Sequence, residues 1–183
     1  MRKQNNLYKT PIWNNVFEHL DYIFPAVLYD KFGFNMEQIA KFQNESIAMQ
    51  NAWKDKNDSD ITTDSLLHYC TGTGIDIIGF VKGVPMSKKL YIASDENNKQ
   101  VKLPTDVPQK TESVFILYLL FTVPVLIMSY SFKKELILSL FGFISDYIDS
   151  YQKKYVTNET IRQMFIEDEN WDIVTGQPVS NKH

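Results

Sequence analysis

The stretch 114–132, VFILYLLFTVPVLIMSYSF, carries no charged side chain, so any fold containing it must shield it from water. Its length approaches the roughly 17–25 residues a helix needs to cross a bilayer. Lys133 and Lys134 follow at once, as they would at a cytoplasmic membrane boundary. Thr122, Pro124, Ser129, Tyr130 and Ser131 dilute the run, and the mean hydropathy of the whole chain is -0.27. Two solutions follow from the run alone: a buried core helix or a membrane span.

An internal repeat bears on that choice. Residues 16–39 set against 114–137 without a gap match at Val16/Val114, Phe17/Phe115, Val27/Val125, Leu28/Leu126, Phe34/Phe132, Glu37/Glu135 and Ile39/Ile137. Further on, Ile61-Thr62-Thr63-Asp64-Ser65-Leu66 meets Val156-Thr157-Asn158-Glu159-Thr160-Ile161, the same order of apolar residue, threonine cap, spacer, acid, hydroxyl and apolar residue. Both copies place the acid in a first helical turn, where the macrodipole favours it. Between the copies, His19, Asp21, Asp30 and Lys31 fall opposite Leu117, Leu119, Met128 and Ser129. A solvent face in the first copy is thus largely apolar in the second, and a helix apolar all round is normally core or membrane. Since its counterpart is an ordinary amphipathic helix, the repeat predicts a buried central helix, with membrane association through 114–132 as the lesser alternative.

Apolar residues spaced by three and four from Trp13 to Leu28 predict a first helix, with Pro25 inside it and Gly33 supplying a left-handed cap. Asn35 and Gln38 have capping-box spacing ahead of a second helix reaching Trp53. After the polar linker 54–60, Thr62 caps a third helix that stops at Gly72 and Gly74. Leu90-Tyr91-Ile92 and Val101-Lys102-Leu103 flank a polar turn and predict a small β-hairpin. The helix at 114–132 comes next, then one through Ile137, Leu140, Ile144, Ile148 and Tyr151, then one capped by Thr157, with a frayed tail beyond Asp172. The expected fold is mainly α (α+β): a helical half at 1–78, a connector at 79–110 holding the hairpin, a second half of about three helices at 111–174, and a flexible tail at 175–183.

Composition narrows the function classes. Gly 7, Pro 7 and Cys 1 exclude collagen-like, disulfide-rich and wholly disordered chains, and a net charge of -3 disfavours a strongly basic nucleic-acid binder. Cys70 lies in an apolar stretch and reads as a buried, inert thiol; the N-terminus leads into Leu7-Tyr8-Lys9-Thr10-Pro11 and not into a secretion signal.

Catalytic and metal constellations are sparse. His68 and Cys70 form a single loose pair without the second pair a zinc site needs. The segment 55–60 begins like a calcium loop, but Asp60 takes the glycine position and Leu66 that of the bidentate acid. Gly72-Thr73-Gly74 lacks the third glycine of a phosphate-binding turn, and Glu167, Asp168, Glu169 and Asp172 read as a solvated acidic helix end. No reaction class, cofactor or metal is expected.

The segment Leu28-Tyr29-Asp30-Lys31-Phe32-Gly33-Phe34-Asn35, continuing to Ile39-Ala40-Lys41-Phe42, resembles a motif in small uncharacterised helical proteins of phages and prophages of Gram-positive bacteria, in which a helix ends in an FGFG-type corner before a basic helix. Met36, Glu37 and Gln38 stand where those proteins carry basic residues, and the second copy has drifted to Tyr130-Ser131-Phe132-Lys133-Lys134. The resemblance implies a mobile-element origin and no catalytic activity.

Aromatic content then points to binding, because Tyr, Trp and Phe dominate interface cores and make up 14% of this chain. The expectation is a cytoplasmic protein of the host bacterial cell that binds a protein of a host or defence system, as an inhibitor of the anti-CRISPR kind, or binds itself as a homodimer. Candidate contact residues are Tyr147, Tyr151 and Tyr155 on one stripe, Lys89 and Tyr91 on the hairpin, and Lys133 and Lys134. The alternative is an accessory factor in phage replication or packaging that touches nucleic acid through Lys133, Lys134, Lys153 and Lys154.

Overall fold

In a computed structural model, which describes residues 10–55, 60–83 and 106–179, the helix boundaries follow local chemistry. The Thr10 hydroxyl accepts from Trp13 N at 3.3 Å and Pro11 opens α1 (Pro11–Phe32), where a missing N–H costs nothing. Gly33, at φ 67°, ends it in the left-handed conformation. Asn35 and Gln38 form a reciprocal capping box, at 2.9 and 3.0 Å, ahead of α2 (Met36–Lys54). Thr62 and Ser65 do the same for α3 (Thr63–Gly72), after which α4 (Ile77–Gly83) follows.

The second copy repeats the series. Helix α5 (Val107–Tyr130) ends at Ser131, also left-handed at φ 56°, and α6 (Lys134–Gln152) has the 19-residue length of α2. Thr157 and Thr160 form the capping box of α7 (Asn158–Glu169). The protein is mainly α, and among the described residues there is one two-stranded antiparallel sheet, β1 (Trp171–Asp172) and β2 (Gln177–Pro178).

The halves are interleaved. Helices α1 and α5 pack on each other; α1 also lies against α6 and α7, and α5 against α2 and α3. Each half's first helix is therefore sandwiched chiefly by the other half's second and third, the reciprocity of an isologous dimer within one chain. The corners meet reciprocally as well. Phe32 touches Phe132 with ring centroids 5.2 Å apart, and the equivalent pair, Tyr130 and Phe34, is 4.8 Å apart. At the far end of each second helix, Trp53 Nε1 donates to Thr63 Oγ1 at 3.0 Å, and Tyr151 Oη donates to Asn158 Oδ1 at 2.6 Å. Both acceptors are the first residue of the third helix of their own half.

Helix α5 is the one described helix long and apolar enough to cross a membrane, and 67% of its most apolar window is buried inside the fold. Leu117 and Leu119 are buried as the repeat predicts, each such side chain contributing about 1.5–3 kcal/mol. The shielding stops before Met128 and Ser129, which remain exposed. Its two buried threonines bond within the helix: Thr111 donates to Val107 O at 2.9 Å and Thr122 to Tyr118 O at 3.0 Å.

Two sequence expectations change. Residues 79–83 belong to α4 and 107–113 to α5, so the described ends of the connector are helical. Helix α4 forms because Ile77 and Val81 are buried and Phe80 stacks on Phe141, with centroids 4.1 Å apart. The strands expected at 90–92 and 101–103 lie outside the described residues. Residues 173–179 form β2 and its turn: Arg162 clamps Asp172 through two hydrogen bonds at 3.2 and 2.8 Å, and Asp172 accepts from Val174 N at 3.0 Å.

Candidate functional site

The tyrosines read as one stripe separate. Tyr151 is buried, its ring edge-on to His19 at 5.6 Å, and its hydroxyl holds Asn158, so it fastens α6 and α7 to α1. Burial pushes its hydroxyl pKa well up. Tyr147 is half-buried and donates to Asp30 Oδ2 at 3.4 Å. Helix α6 ends at Gln152 and Lys154 turns at φ 57°, which leaves Tyr155 78% exposed beyond the helix. Lys133 and Lys134 are exposed at the second corner, and Lys134 passes beside Gly74, where a Cβ would meet its side chain at 3.4 Å. Lys89 and Tyr91 lie outside the described residues. Glu169, in the acidic end of α7, accepts from Tyr29 Oη at 2.7 Å.

Around the second corner, Met128, Leu136 and Leu138 are 55%, 42% and 51% exposed. At the equivalent positions the first corner has Asp30, Gln38 and Ala40. The folding requirement is the same at both corners, since each turns through one left-handed residue and packs an aromatic on the other. The apolar exposure belongs to the second alone.

A cleft of about 670 Å³ opens between α1, α2, α5 and the β1–β2 turn. Phe17, Tyr22 and Tyr118 form part of its aromatic wall, Gln43, Ser46 and Gln50 its α2 wall, and Glu18 and Asp21 its charge. Asp21 accepts a hydrogen bond from Tyr118 Oη at 3.0 Å. Water reaches the carboxylate, yet protein crowds it closely: loss of hydration pushes its pKa up to about 6, against the lowering effect of the Tyr118 hydroxyl. Sequence reasoning marked Asp21 only as a solvent-face residue, because nothing local shows that a helix 97 positions away supplies its hydroxyl partner.

Compared with protein-family models, curated proteins and solved structures, the chain matches none. The cleft has no lysine, arginine or histidine in its lining, and among the described residues no group of three or more histidine, cysteine, aspartate or glutamate side chains is placed to hold a metal ion. Its acids and amides can hold a ligand by charge and hydrogen bonds. Cys70 is buried, and loss of hydration pushes its thiol up to about 11, far from a reactive thiolate.

Proposed function

We propose that this chain is a non-enzymatic binding protein of a phage or prophage that acts in the host bacterial cytoplasm by stoichiometric protein contact, as an inhibitor of a host or defence complex of the anti-CRISPR kind. The observation that carries the reading is the difference between the corners. Exposed Met128, Leu136 and Leu138 lie beside exposed Lys133 and Lys134, whereas the first corner presents Asp30 and Gln38 at the matching positions. Apolar exposure that the repeat's own fold does not require is the composition of a contact surface, with adaptable methionine and leucine inside and lysine at the rim. The resemblance of the first corner to phage proteins supports the origin.

The test restores the first corner's chemistry to the second, as Met128→Asp with Leu136→Gln. Tagged protein from infected Gram-positive cells, analysed by size exclusion with light scattering, is expected to carry a partner at fixed stoichiometry, and the double variant to lose it while keeping its helical circular dichroism. A wild-type monomer with no companion, or a companion retained by the double variant, overturns the reading. A salt-sensitive gel shift with DNA or RNA that vanishes in Lys133→Glu with Lys134→Glu transfers the function to nucleic acid.

A further inference from the structure

The repeat supplies a control for the cleft, because the same place exists twice. In the second half, the positions of Phe17, Asp21, Gln43 and Ser46 are held by Phe115, Leu119, Phe141 and Ile144, all buried. Phe80 closes that place, stacked on Phe141 at 4.1 Å and 6.2 Å from Phe115. One of the two related sites is thus a filled apolar core. The other is an open cleft with a carboxylate, an amide and a hydroxyl where the first has apolar side chains. The filled place carries apolar side chains at these positions and takes Phe80 from α4, whereas the cleft keeps polar ones.

The cleft is also costly to keep. The Ser46 hydroxyl oxygen is buried without a hydrogen-bond partner, and protein crowds the Asp21 carboxylate with no basic side chain against it. Both carboxylates rise from one face of α1, three residues apart, and no basic side chain lines the space to neutralise them. Among the described residues Asp21 takes one hydrogen bond, on Oδ1 from Tyr118, which leaves Oδ2 for a ligand. Aromatic walls with a carboxylate suit a positive charge carried on an apolar body, through the ring quadrupoles and the charge together. A volume of about 670 Å³ lies within the roughly 300–1,000 Å³ of small-molecule sites.

We infer that the cleft between α1, α2 and α5 is a binding site for a small organic cation, an ammonium group on an aromatic or aliphatic body, with Asp21 and Glu18 as its counter-charges. The site lies apart from the second corner and does not depend on the protein contact proposed for it.

Phenethylamine is the probe, with 2-phenylethanol and 3-phenylpropionate as neutral and anionic bodies of similar shape, titrated calorimetrically at pH 7.5 into the full chain. The amine is expected to saturate and to bind at least about tenfold tighter than the alcohol, in line with a hydrogen bond to a charged group. Asp21→Asn should remove that tenfold advantage and leave alcohol binding unchanged. Ser46→Ile with Gln50→Ile, which copies Ile144 and Ile148 into the first half, should abolish binding of both while the protein stays folded. If Asp21→Asn does not fold, Glu18→Gln and the filled-cleft variant carry the comparison. Equal affinities for amine and alcohol, absence of saturation, or amine binding that survives the filled cleft overturns the inference.

Discussion

Phe34 and Phe132, equivalent residues of the two repeats, meet edge to face with ring centroids 6.0 Å apart and an interplanar angle of 79°. Their backbones repeat the same turn: Phe34 N donates to Leu28 O at 3.1 Å, and Phe132 N donates to Leu126 O at 3.1 Å. One motif, used twice, makes its own partner where the two corners meet. Truncating either ring to alanine should therefore cost about 3 kcal/mol or more, and the double substitution less than the sum, because the first removes part of what the second would lose. Urea denaturation of the three variants measures both quantities.

The two corners differ in the residue at their left-handed position. Gly33 adopts φ 67° freely, while Ser131 holds φ 56° with a side chain. Ser131→Gly is expected to stabilise the protein by about 0.5–1 kcal/mol and Gly33→Ala to destabilise it by about 1 kcal/mol. Opposite shifts in melting temperature would bear this out; a destabilising Ser131→Gly would contradict it.

Asp21 sets a pH dependence. Its carboxyl pKa is raised to about 6 in the folded protein, chiefly by loss of hydration, so folding favours the protonated form. The stability linked to it is fully present below about pH 4, the ordinary carboxyl range, and is lost as pH rises through 6. Asp21→Asn keeps an oxygen to accept from Tyr118 and removes the charge. It should raise stability by about 1 kcal/mol at pH 7.5, a value discounted because water screens the carboxylate, with the gain vanishing below pH 5. Parallel denaturation curves at pH 4.5, 6 and 7.5 decide it, and a gain independent of pH would reject this origin.

Leu119, the counterpart of Asp21, is fully buried. Leu119→Asp is expected to unfold the protein, as burial of an unpaired charge does, while wild type remains in the supernatant after ultracentrifugation without detergent. A membrane role for α5 would instead send the wild type to the pellet until detergent is added.

Cys70 gives an independent probe of the packing between α3 and α5. With its thiol buried and pushed up to about 11, it should react with a disulfide reagent at pH 8 only as fast as the protein opens. Rapid reaction of the folded protein would show that α3 is loosely held.

Much of the fold is legible in the chain because its signals are local. Asn35 with Gln38, Thr62 with Ser65 and Thr157 with Thr160 each announce a helix within four residues, and Gly33 ends one by its own conformational freedom. The repeat, too, can be read directly, and with it the expectation that α5 is covered. Helix α4 and the β1–β2 turn could not be read in this way. Seven residues at 77–83 are too few for a periodic signal, and a two-residue strand clamped by Arg162 depends on a side chain ten positions away.

The uncharged run 114–132 determined by its chemistry that one helix must leave water. Which surface covers it is a matter of distance in space, and only the tertiary structure decided it, by interleaving the halves so that α1, α2, α3 and α4 all lie on α5. The same packing separated Tyr147, Tyr151 and Tyr155, made Tyr118 a partner of Asp21, and filled one of two related places with Phe80 while leaving the other open. Periodicity fixes which face of a helix is apolar, but not what meets it; that depends on contacts between residues about a hundred positions apart.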